Sequence, residues 1–172
     1  GADIDGDPQT APPAAPGLDH TNLQSRPGAE NVLYIDFNGE TVSGTKWNVE
    51  ENSFNDIVAA PSGMTRDEII AAWARAAEDW ITFDVNVTTS RSVHDSYAWH
   101  SRAMIVCTPT KFWYTDGEAG IGGVAWLDSF NNSTLTQICW CFNVGNYLEC
   151  AETISHEFGH MMHHLLAGKH QW

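Results

Sequence analysis

The residues of this chain whose types and spacing could do chemistry together are His156, Glu157 and His160, in the run His156-Glu157-Phe158-Gly159-His160. Histidines four apart on a helix lie one turn apart on the same face, so both imidazoles can reach one cation at about 2.0–2.1 Å. Glu157, next to the first histidine, can reach a water on that ion without ligating it. Zinc lowers the pKa of such a water to about 7, and a carboxylate can then take its proton and later hand one to a leaving amine, while the ion polarises the scissile carbonyl. The spacing therefore predicts metal-assisted hydrolysis of a peptide bond, with Zn2+ as cofactor, His156 and His160 as metal ligands and Glu157 as general base. The competing reading is an amphipathic helix whose histidines are only solvated.

A helix must position these groups, and the surrounding residues predict one. Ile154, Phe158, Met161 and Leu165 form an apolar stripe. At about 100° per residue His156, His160 and His163 fall on the other side, with Glu157 and His164 flanking. The helix is expected to start between Asn146 and Glu152. A hydrolytic zinc needs a third protein ligand. His163, His164, His170 and a residue beyond Trp172 all stay open as candidates. His164 lies about 12 Å along the axis from His156, His170 follows Gly168, a helix terminator, and no Asp or Glu follows Glu157.

Further upstream, residues 1–30 hold most of the prolines and show no hydrophobic period, which predicts a flexible leader. Its Asp3-Ile4-Asp5-Gly6-Asp7 run has the opening of a calcium loop, but Pro8 and Ala14 stand where that loop needs glycine and glutamate. Residues 31–172 are read as one catalytic domain. Val32 to Phe37 reads as a strand closed by the turn Asn38-Gly39. Thr65-Arg66-Asp67-Glu68 is a capping box, with Met64 and Ile69 placed as a staple, and Ile69, Trp73, Ala76 and Trp80 give the following helix one buried face. Phe83, Val85 and Val87 alternate with polar residues as in a half-buried strand, Ala103 to Cys107 reads as a central strand, and Gly122 to Leu127 and Ile138 to Phe142 as two more. The order predicts an α/β (α+β) fold: a twisted mixed β-sheet with a backing helix and a metal-binding helix.

With 172 residues, 42% hydrophobic and 17% charged, the chain can bury one substantial core. Its net charge of −14 argues against nucleic acid and anionic membranes as partners, and no apolar run is long enough to span a bilayer. The opening GADIDGDPQT lacks the basic start and apolar stretch of a signal peptide, which fits an already processed chain. Eight tryptophans predict that several line a core or groove. Cys107, Cys139, Cys141 and Cys150 predict one or two disulfides and an extracellular or periplasmic location, against the alternative of four buried thiols. Their spacing does not give the pairing.

Between Val32 and His160 the chain resembles the bacterial reprolysin-like metallopeptidases of the metzincin clan. The resemblance rests on Tyr34-Ile35-Asp36-Phe37-Asn38-Gly39, Phe83-Asp84-Val85-Asn86-Val87-Thr88-Thr89, Gly122-Gly123-Val124-Ala125-Trp126 and Ser155-His156-Glu157-Phe158-Gly159-His160. It implies a metzincin-like upper subdomain and a secreted endopeptidase, with His156 and His160 as the first two zinc ligands and Glu157 as the base. It also implies that Gly123, Val124, Ala125 and Trp126 form an edge strand holding a peptide substrate; the alternative is an ordinary interior strand. The sequence departs from the clan's HExxHxxGxxH at His163 and Leu166, and no methionine turn follows by Trp172. The local string HEFGHMMHHLL is also similar to the thimet-type oligopeptidases, which are helical, unlike the strands read here. Two functions follow as expectations: an active zinc endopeptidase, or a catalytically inactive metzincin-like binding module that has lost its third ligand.

Two lesser groups complete the reading. Asp116, Glu118 and Asp128 flank glycine-rich loops and offer oxygen donors of the kind Ca2+ takes, against solvated loop carboxylates. His20, His94 and His100 read as surface histidines, with a second metal at His94 and Asp95 as the alternative.

Overall fold

The computed structural model describes residues 10–114 and 120–163. In chain order these form β1 (Asn31–Asp36), β2 (Glu40–Val42), α1 (Lys46–Glu51), β3 (Ile57–Ala59), α2 (Arg66–Asp79), β4 (Val85–Thr88), α3 (Arg91–Ser96), β5 (Arg102–Cys107), β6 (Gly123–Val124), β7 (Ile138–Cys141) and α4 (Tyr147–Met161).

Five strands make one sheet in the order β4-β1-β5-β7-β6. β1 runs parallel to β4 and β5, and β5 runs parallel to β7, while β6 returns antiparallel to β7. The sheet is thus mixed but mostly parallel. β1 and β5, its middle strands, are buried from their second residue onward, as continuous apolar runs covered on both faces should be. One face carries Leu33, Ile35, Ala103 and Ile105 under α2 and α4. The other carries Tyr34, Met104, Val106 and Trp140 under Trp47 of α1 and the separate β2–β3 pair.

The capping box at the start of α2 is present in full. Thr65 accepts from the Glu68 amide, and the Glu68 carboxylate accepts from the Thr65 amide at 3.0 Å. Met64 and Ile69 are both buried in the same cluster, as a staple requires. Of the tryptophans, Trp47, Trp80, Trp113 and Trp140 are buried, and Trp99 is exposed.

Four expectations need correcting. β4 is buried on both faces rather than half-buried, because residues 23–26 cover its outer edge. Ser25 N–H donates to the Val87 carbonyl, Thr89 N–H donates to the Leu23 carbonyl, and Gln24 bridges to Thr88. Asn86 is held by Gln24 and the Arg26 amide, and Leu23 and Ala29 join the core. Order therefore begins before β1, inside the stretch read as leader, and this segment shields an otherwise open strand edge. His94 is not a surface residue: it is buried, with its ring 5.4 Å from that of Tyr34 and its Nδ1 2.8 Å from Asp95. The strand read over Gly122 to Leu127 is only two residues long.

The cysteines are four buried free thiols in this structure. Cys141 and Cys150 hold their sulfurs 3.8 Å apart, against about 2.05 Å in a disulfide.

Candidate metal and peptide site

Asn146 opens α4 by accepting from the amides of Leu148 and Glu149 with its side chain, so two of the helix's unpaired N-terminal donors are satisfied. Ile154, Phe158 and Met161, the stripe read from the sequence, are fully buried against the sheet and α2; Leu165 lies outside the described residues. Ser155 Oγ donates to Asp79 at 2.7 Å and ties α4 to the end of α2. At the other end, the amides of Asp128 and Phe130 donate to the carbonyls of His160 and Met161, both at 2.9 Å. The helix is thereby fixed at both ends and along its inner face.

That placement turns His156 and His160 outward. Their Nε2 atoms are 2.8 Å apart, with the rings nearly perpendicular at 87°. Two nitrogens sharing a tetrahedral cation at about 2.05 Å would stand about 3.3 Å apart, so the pair needs to open by only half an ångström or so. Both imidazoles are exposed on one helical turn and hydrogen-bonded to each other, a pair that could hold a zinc ion. His160 is held below its ordinary pKa by partial burial and then by the neighbouring His156 and His163, which favours its neutral form.

Glu157 behaves differently from the histidines beside it. It is 5% exposed, and burial, followed by the charge of Cys141, raises its pKa to about 7. It lies under β6. A Cβ on Gly123 would sit 2.6 Å from the Trp140 carbonyl, 2.7 Å from Thr153 Cγ2 and 3.0 Å from Glu157 Cγ, so the strand can pass over the helix only where a side chain is missing. Gly122 faces Asn143, whose amide donates to Thr153 Oγ1 at 2.9 Å, and the Gly122 carbonyl accepts from Phe142 N–H. Gly122, Gly123, Glu152, Thr153, His156 and Glu157 line one cleft of about 360 Å³. Glu152 and Thr153 are one turn before His156 and Glu157, which is the signal that could have added them from the sequence.

Of the four residues proposed for an edge strand, Gly123 and Val124 form β6, the last strand of the sheet. Only Gly123 lines the cleft. Trp126 turns to the opposite face and stacks on Trp47 with centroids 4.6 Å apart, and Ala125 packs at the margin of the core under α4. Asp128 stands opposite His163, Oδ1 to Nδ1 3.5 Å, with His163 exposed. Among the described residues neither His163 nor a carboxylate completes a group of three donors with His156 and His160. His164, His170, Asp116, Glu118 and the Asp3–Asp7 run lie outside the described residues. No protein-family model matches the chain, and no curated protein and no solved structure matches it at a significant level.

Proposed function

We propose that this chain is the upper part of a zinc-dependent endopeptidase of the metzincin kind, exported from the cell and cleaving extended peptides. The observation that carries the reading is a pair of exposed imidazoles with their Nε2 atoms 2.8 Å apart, the first of which shares one cleft with the buried Glu157 and a glycine strand edge. His156 and His160 would hold the zinc, which when bound supplies Lewis acidity to the scissile carbonyl and acidity to a water. Glu157 accepts the proton of the attacking water at its carboxylate and returns it to the departing nitrogen. β6 offers its free edge to a substrate backbone, which adds antiparallel as a further strand.

The test is Glu157→Gln, which keeps the shape of the side chain and removes the base. Cleavage of an unstructured protein such as casein should fall by about 10²–10⁴-fold with metal content unchanged. Equal cleavage by both proteins removes Glu157 from the mechanism. A second reading, a binding module without turnover, draws on the lack of a third donor beside the histidine pair among the described residues. It predicts peptide binding to wild type with no chelator-sensitive cleavage.

A further inference from the structure

Away from the histidine pair, three cysteines converge inside the core. Cys107 ends β5 and Cys141 ends β7, where they are direct cross-strand neighbours. Cys150 reaches them from the first turns of α4, and the three sulfurs lie within 4.8 Å of one another. All three are fully buried. Among the described residues, the hydrogen-bond acceptors near Cys141 Sγ, apart from the thiols themselves, are the carbonyls of Asn143 and Cys150, each at 3.9 Å.

Three thiolates around one metal at about 2.3 Å place their sulfurs about 3.8–4.0 Å apart. Cys141 and Cys150 already stand at 3.8 Å, whereas a disulfide would need them to close to about 2.05 Å. We infer that Cys107, Cys141 and Cys150 form a second metal site, which binds Cu(I) in a three-coordinate thiolate arrangement. Zinc is the poorer fit because structural zinc takes four ligands. No histidine, carboxylate or fourth thiol joins this group among the described residues, and its surroundings are apolar core. Thiolates select soft cations, and Cu(I) accepts the lower coordination number. The ion would pin the start of α4 to the ends of β5 and β7. The site does not depend on the peptidase reading, since Cys150 precedes Glu157 by two helical turns.

The experiment uses the whole chain carrying His156→Ala and His160→Ala, so that the histidine pair cannot contribute. It is kept anaerobic and reduced and refolded with Cu(I), so that entry into the closed core is not limiting, and then titrated with a chromophoric Cu(I) chelator. One Cu(I) per chain is expected. Cys150→Ser or Cys107→Ser should weaken retention by at least about a hundredfold, more than loss of a group that only orients a ligand, while Cys139→Ser should leave it unchanged. Circular dichroism confirms that each variant is folded. Equal retention by the parent and the folded Cys150→Ser and Cys107→Ser variants overturns the site, as does the finding that the reduced parent holds no Cu(I). Tighter retention of Zn2+ than of Cu(I) at these cysteines overturns the choice of ion.

Discussion

Gly123→Ala tests how closely β6 rides on the helix that carries the histidines. The added Cβ would fall 2.6 Å from the Trp140 carbonyl oxygen and 2.7 Å from Thr153 Cγ2. Contacts of that kind do not occur below 3.0 Å, so β6 must lift by at least about 0.4 Å or α4 must recede by as much. Overpacking on this scale costs about 1–3 kcal/mol, offset by about 0.4–1 kcal/mol because alanine restricts the unfolded chain more than glycine does. A net loss of about 1–2 kcal/mol is expected. A shift of 1 Å at a catalytic centre costs about a hundredfold in rate, so the smaller displacement here should reduce cleavage about five- to tenfold. Gly159→Ala is the matched control, since its Cβ meets no atom within 4 Å and alanine is favoured in a helix interior by about 0.8–1 kcal/mol. Urea midpoints and initial cleavage rates of the two variants read both quantities. A Gly123→Ala protein with wild-type midpoint and rate would refute the packing of strand on helix from which the cleft is built.

Two further outcomes follow from the fold. Burial lifts the Asp36 carboxyl from 3.8 to about 6, so its contribution to stability is full below pH 3.8 and is lost as pH rises through 6, by up to about 3 kcal/mol at pH 8; Asp36→Asn should gain on wild type between pH 4 and pH 8, and a pH-independent difference in urea midpoints would contradict this. Leu23→Ala should cost about 2–4 kcal/mol, as for other buried leucines, because Leu23 is 4% exposed against β4; an unchanged midpoint would show that residues 23–26 do not belong to the folded unit.

The sequence made long, strongly patterned elements legible and left short or shared ones obscure. The stripe Ile154, Phe158, Met161 oriented α4, and the Thr65 to Glu68 box located the start of α2, because each signal is local and repeats over several turns. β2, β3, α1 and α3 are three to six residues long, too short for any period to emerge. The burial of Asn86 and Thr88 depends on a segment some sixty residues away, and no pattern within β4 carries that information. In the candidate site, HExxH gave the histidines and the glutamate. The burial of Glu157 comes from Gly123 lying across it, and the meeting of Cys107 with Cys150 depends on the pairing of β5 with β7 beneath α4.

The central claim is that His156 and His160 hold a zinc ion. Elemental emission on dialysed, untagged protein, wild type beside His156→Ala/His160→Ala, measures it directly. About one zinc per wild-type chain and none in the variant is the expected result; equal zinc in the two proteins, or none in folded wild type, would contradict it.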